Sequence, residues 1–142
     1  MPANRTADPS AAASAPEILT AQPQVFVTDV DRAVAFYRDR LGFTVAFLYG
    51  EPPFYGLVTR GAAGMNLRHV DASPWHADVR VREDLLSATL VVRSAKALFL
   101  EYEANGVAFH QPYREQPWGA HDFIVADPDA NLIHFTSRAG ES

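Results

Sequence analysis

The chain has 142 residues and a mass of 15.6 kDa, which fits one domain or two half-domains sharing a core and excludes several independent ones. A formal charge of -5 leaves no basic footprint for a nucleic-acid backbone, and the absence of cysteine removes disulfides, zinc–thiolate sites, iron–sulfur clusters and a thiol nucleophile. Hydrophobic residues reach 48% and charged residues 20%, a globular balance, yet no run of about 18 apolar residues occurs that could span a membrane.

Residues 1–17 (MPANRTADPSAAASAPE) contain six Ala and three Pro and no aromatic or β-branched aliphatic side chain. Such a segment has little to bury against the cost of ordering it. It is expected to be a disordered tail, or else an extension that docks on a partner subunit. Its single early Arg precedes no apolar stretch, so it makes a poor secretory signal and points to a cytoplasmic protein.

The first half, residues 18–78, begins with a strand over QPQVFVTD, Gln22 to Asp29. A helix follows, with Val30, Ala33, Val34, Tyr37 and Leu41 at helical spacing. Asp29 or Asp31 can cap its start and Gly42 can end it. TVAFLYGE, FYGLVTRG and GMNLRHV then read as three short strands separated by Gly and Pro turns.

The second half, residues 79–142, repeats this order. LLSATLVVRS is strand-like, and AKALFLEYEANGV is a helix with Ala97, Leu98, Tyr102 and Leu100 expected inward and Gly106 at its end. VAFHQPYRE, HDFIVAD and NLIHFTS supply three strands, the last two joined by DPDAN. The halves are offset by about 65 residues, so the chain is expected to be a repeated β-α-β-β-β unit of the α+β class. Neither half can close a core alone; two must pack, within a chain or across a dimer.

Strand alternation then separates two faces. Val25, Val27, Met65, Leu67, Ala88, Leu90, Val92, Ile133 and Phe135 can lie under the helices. The opposite faces carry Gln22, Gln24, Phe26 and Thr28, Asn66 and Arg68, Ser87, Thr89 and Val91, and Leu132, His134 and Thr136. This mixed polar and aromatic lining suits a small-molecule cleft, with a plain solvated sheet face as its alternative. No GxSxG, P-loop or HExxH sequence occurs, and no other catalytic set stands out; Glu83 and Asp84 read as a solvated loop.

Three strings carry a family resemblance: VTDVDRAVAFYRDRLGF (Val27 to Phe43), LFLEYEANGV (Leu98 to Val107) and WGAHDFIVADPDANLIHF (Trp118 to Phe135). Over about residues 20 to 137 the chain resembles the vicinal oxygen chelate superfamily of glyoxalases, extradiol dioxygenases, and fosfomycin- and bleomycin-resistance proteins. The resemblance implies paired βαβββ modules in a cupped mixed sheet around a cleft, helices on the outer face, often in a dimer. Ala130 replaces the glycine usual in DPDGN, a place that often needs positive φ.

The metal-using members imply four ligand positions. They fall on Gln22, seven residues before Asp29; Asn66; Ser87, or Leu85 in the fosfomycin-type register; and His134, seven residues after Asp127. This set holds one good divalent ligand and no carboxylate. The resemblance is therefore nearest the bleomycin-resistance branch, which implies a metal-free, dimeric protein that sequesters a small molecule rather than an enzyme. Candidate ligand contacts are Phe26, Phe54, Tyr55, Arg68, Trp118 and His134, with Tyr49, Trp75 and Tyr113 as further lining aromatics. Aromatic faces stack on flat ligands and attract cations, whereas Arg68 suits an anionic group. A divergent metal-dependent lyase or dioxygenase using Gln22, His134 and His69 or His121 is the alternative; a non-enzymatic interaction module is a third.

Overall fold

The computed structural model describes residues 15–73 and 77–138. Most of the expected N-terminal tail, Trp75 and the last four residues lie outside the described residues.

Two four-stranded mixed sheets form the frame. The first holds β1 (Gln24–Val27), β2 (Thr44–Tyr49), β3 (Tyr55–Arg60) and β4 (Ala63–His69) in the order β1-β4-β3-β2. The second holds β5 (Leu86–Val91), β6 (Phe109–Glu115), β7 (His121–Ala126) and β8 (Leu132–Ser137) in the matching order β5-β8-β7-β6. In each sheet the first and last strands run parallel and the other pairs antiparallel. A helix crosses over between first and second strands: α1 (Val30–Ala35) with a widened turn over Phe36–Arg40, and α3 (Ala95–Ala104). The expected βαβββ repeat is therefore present twice. The two sheets are separate ladders, with β1 and β5 each at an edge, not one continuous hydrogen-bonded sheet. A short helix that sequence pattern did not reveal, α2 (Ala77–Arg82), links the modules.

Local chemistry explains the boundaries. The Asp29 carboxylate accepts the Arg32 N–H at 3.1 Å and caps α1; Ser94 does the same for α3 through the Ala97 N–H. Gly42 and Gly106 sit at positive φ after the helices. Ala130 takes φ +62° in the β7–β8 turn, where the Asp127 side chain accepts N–H bonds from Asp129 and Asn131.

The core is shared. Val25, Val27, Met65 and Leu67 meet Phe123, Val125, Ile133 and Phe135 through the helical residues Val30, Ala33, Val34, Tyr37, Leu41 and Tyr102, all buried. Each such aliphatic or aromatic side chain contributes about 1.5–3 kcal/mol when fully removed from water. The α1 stripe is the expected one. The α3 stripe is rotated: Ala95 and Tyr102 are buried and Leu98 and Phe99 pack on the core, whereas Leu100 is 52% exposed and Ala97 is exposed. Tilted and edge-on ring packing accompanies the rotation: Phe99 contacts Phe109, Tyr113 and Phe123. Ala88, Leu90 and Val92, expected under the helices, are only partly buried.

Reciprocal helix-end contacts lock the modules together. The Tyr102 hydroxyl donates to the Leu41 carbonyl at 2.8 Å. Arg40 donates to the carbonyls of Asn105 and Gly106, and the Asn105 amide returns a bond to the Arg40 carbonyl. Arg60 pairs bidentately with Glu101 and also reaches the Leu41 carbonyl.

Candidate functional site: two concave sheet faces

On the first sheet, Phe26 and Arg68 are register partners, and the guanidinium lies 5.9 Å from the ring centroid. Tyr55 sits opposite Arg68 on the other neighbouring strand, and its ring is 5.8 Å from Phe47. Phe54 meets Tyr49 edge-on at 5.5 Å. A side chain at Gly50 would strike the Phe54 ring, so glycine there, at φ +100°, is what lets this loop fold back. Phe47, Leu48, Tyr49 and Phe54 all remain exposed. Phe26, Tyr55 and Arg68 thus fall together, with Phe54 beside them. Trp118, 71% exposed in the Gln116–Gly119 turn, makes no ring contact among the described residues.

On the second sheet the same face is polar. His134 Nε2 lies 2.9 Å from Asp122 Oδ2, and His134 Nδ1 lies 3.1 Å from the Thr89 hydroxyl. Asp122 also accepts bonds from the side-chain amides of Gln111 and Gln116. Burial opposes its ionisation, but the bonds from His134, Gln116 and Gln111 outweigh burial and hold the carboxyl below its ordinary range. An ionised Asp122 accepts a hydrogen bond from the Nε2–H, which leaves Nδ1 to accept from Thr89. Sequence reasoning found His134 but missed Asp122, Gln111 and Gln116, and it read no catalytic set. Positions 89, 111, 116, 122 and 134 form no local motif; strand register alone joins them.

Between the modules, the Asp129 carboxylate accepts the Thr28 N–H and hydroxyl and an Arg32 N–H. The Tyr37 hydroxyl donates to Asp127 at 2.9 Å. Burial raises the Asp127 carboxyl, against hydrogen bonds from Asn131, Tyr37 and the Asp129 backbone. Burial, with Asp127 beside it, also pushes the Tyr37 hydroxyl well up. Asn131 holds the Phe26 carbonyl and accepts from the buried Arg80.

Two cavities border these faces. One of about 430 Å³ lies where Gln24 and Phe26 of the first face meet Ser87, Asn131 and Arg80. A larger one of about 790 Å³ follows β5 from Ala88 to Val92 and opens toward Ala97 and Leu98 of α3. The larger cavity therefore runs along the open edge of β5, taking in Ala88, Leu90 and Val92 of the helix side and Thr89 and Val91 of the other, and reaches Ala63, Gly64 and Met65 of β4. Ala88, Leu90 and Val92 are only partly covered where they line it.

The four positions implied as metal ligands do not fit a divalent ion. The Asn66 amide donates to the Gln22 carbonyl, Ser87 donates to Asn131, and both His134 nitrogens are engaged. Three neutral oxygen or amide groups and one committed imidazole are a weak donor set. Among the described residues no cluster of three His, Asp or Glu side chains could hold a metal.

Residues 19–135 match the family model of the Glyoxalase/Bleomycin resistance protein/Dioxygenase superfamily. The chain belongs to this superfamily. Solved structures agree. The bleomycin-binding protein of bleomycin-producing Streptomyces verticillus, solved with copper(II)-bleomycin, is 28% identical, with a TM-score of 0.68 over 87% of this chain and 99% of that one. The bleomycin resistance determinant encoded on transposon Tn5 is 18% identical, with a TM-score of 0.68 over 84% of this chain and 97% of that one. A bleomycin-binding protein complexed with bleomycin is 20% identical, with a TM-score of 0.67 over 84% and 98%. At these lower identities the superfamily likeness is one of fold. No curated protein is similar enough in sequence to match. Among the described residues, no helix is long and apolar enough to cross a membrane.

Proposed function

We propose that this superfamily member is a cytoplasmic, metal-free binding protein that sequesters a flat small molecule, an antibiotic of the bleomycin type being the first candidate. The observation that carries this reading is the aromatic first face. Phe26, Phe47, Tyr49, Phe54 and Tyr55 offer stacking surface, and Arg68 adds a donor for an anionic or carbonyl group. The weak metal donor set and the likeness to bleomycin-binding proteins support it.

The same reading makes the protein a homodimer. Exposed Phe47, Leu48, Tyr49 and Phe54 at one end of the first sheet, and exposed Leu86 and Val91 on the second, leave apolar surface that a second copy would cover. Closure by a partner would bury more of a ligand than one open face can.

Titration with bleomycin, followed by calorimetry and tryptophan fluorescence at a known oligomeric mass, tests the proposal. Saturable binding to a dimer, unchanged by chelator, is the expected result. No heat and no thermal shift across a panel of bleomycin-type drugs would refute the antibiotic. Near one equivalent of metal per chain by elemental analysis would refute the metal-free reading.

A further inference from the structure

We propose that Thr89 is an activated acyl acceptor, with His134 as its general base and Asp122 holding the imidazole in place. The site lies on the second face and stands independently of the sequestration reading. Three strands build it. Thr89 of β5 and His134 of β8 are register partners, and Asp122 of β7 lies diagonally across from His134. A hydroxyl on an imidazole whose other nitrogen is fixed by a buried carboxylate is the arrangement that activates serine and threonine nucleophiles. Both contacts are at hydrogen-bond length, 3.1 and 2.9 Å. The Asp122 side chain is 5% exposed and that of His134 17%, while Thr89 is exposed. The charged end of the relay is thus shielded and the reacting end open. Gln111 and Gln116 add further bonds to Asp122, so the carboxylate cannot swing away.

The surroundings fit an ester carrying a short apolar acyl chain. β5 has a strand neighbour on one side only. The Val92 N–H goes to the Thr136 carbonyl of β8, so by alternation the Thr89 and Val91 N–H groups point to the open edge and can meet a developing oxyanion. The cavity of about 790 Å³ borders that edge, with Ala88, Leu90, Ala97 and Leu98 in its lining. In the acylation step the Thr89 oxygen forms a bond to the ester carbonyl carbon and the carbon–oxygen bond to the leaving alcohol breaks. The Thr89 proton passes to His134 Nδ1 and then to the leaving oxygen. No oxidant, metal or second substrate is needed.

The chain is well suited to the test, because it has no cysteine and a single lysine, Lys96, so few other groups compete for the acyl group. The full-length protein is incubated with p-nitrophenyl butyrate; nitrophenolate release is followed, and the adduct is located by peptide mass spectrometry. The expected result is one acyl group per chain, on Thr89. It should be absent in Thr89→Val, restored in Thr89→Ser, and formed about a hundredfold more slowly in His134→Gln, the usual scale of a lost general base. Asp122→Asn should slow acylation of Thr89 while leaving reaction at Lys96 unchanged, a selectivity that general unfolding would not produce. Thr89→Val carries an exposed substitution and serves as the folded control. Acylation confined to Lys96 or the N-terminus, or a Thr89 adduct formed at the same rate in His134→Gln, would overturn the proposal.

Discussion

At matching places in the two modules, the register partners Gln24 and Asn66 of the first correspond to Thr89 and His134 of the second, and Tyr55 corresponds to Asp122. The strand orders are the same, yet one concave face is aromatic with a single guanidinium and the other is a polar relay around a buried carboxylate. The faces toward the helices are mainly apolar in both, with Arg60, paired to Glu101 of α3, as a charged exception. Most of the shared core therefore lies on one side of each sheet, although Ile124 and Leu132 on the other side are buried as well.

The shared core carries the largest expected effect. Phe123→Ala removes a ring that contacts Phe99, Tyr102, Phe109 and Phe135 and should cost about 3–5 kcal/mol. Because the core is common, urea unfolding followed by circular dichroism and by fluorescence should still give one transition. Two separated transitions would show that the modules are independent.

Next comes the polar face. Asp122→Asn should cost about 2 kcal/mol near neutral pH, the scale of charge-assisted bonds. The sign in pH follows from the lowered carboxyl. An acid that is lowered on folding stabilises above its ordinary value of 3.8, and that contribution is lost as pH falls through its folded value. The gap in melting temperature between wild type and Asp122→Asn should therefore be constant above the carboxylate range and close in acid. Asp127, raised by burial, has the opposite sign. Its contribution is full below its ordinary value of 3.8 and fades as pH rises through its folded value.

The two equivalent helix tyrosines sharpen the contrast. Tyr37→Phe removes a donor to a buried charged group and leaves Asp127 Oδ2 with the Asn131 amide alone, which should cost about 1–3 kcal/mol. Tyr102→Phe should cost about 1 kcal/mol or less, since the Leu41 carbonyl keeps its bond from Arg60. Equal losses by thermal melting would contradict this difference. Smallest of all, Phe26→Ala should weaken a bleomycin-type ligand about tenfold by calorimetry while leaving the melting temperature nearly unchanged.

Much of the fold was legible in the sequence, because alternation and helical spacing report burial directly. Val25, Val27, Met65 and Leu67 alternate as a covered face must, and Val30, Ala33, Val34 and Tyr37 mark the α1 stripe. The α3 stripe was misread because Ala97, Leu98, Phe99 and Leu100 are apolar in a row, so spacing gave no unique face; ring packing around Phe99 chose it. The site was legible only in part. Phe26 and Arg68 come from strand parity and Tyr55 from the candidate lining aromatics, and their gathering follows from register. Asp122 was hidden, since its partners lie on other strands and are visible only once β5, β7 and β8 are aligned.

The end of α1 is completed from the other module. Its last carbonyls are closed by Tyr102 and Asn105 of the other half, and Arg40 closes the end of α3 in return. Each half therefore carries the cap its partner lacks. Cut in α2, the chain becomes a complementation pair: two fragments, the first losing the donor to its Arg40 carbonyl and the second the donor to Asn105 and Gly106, each with a bared core stripe, whose recovery of structure on mixing would report that they have met.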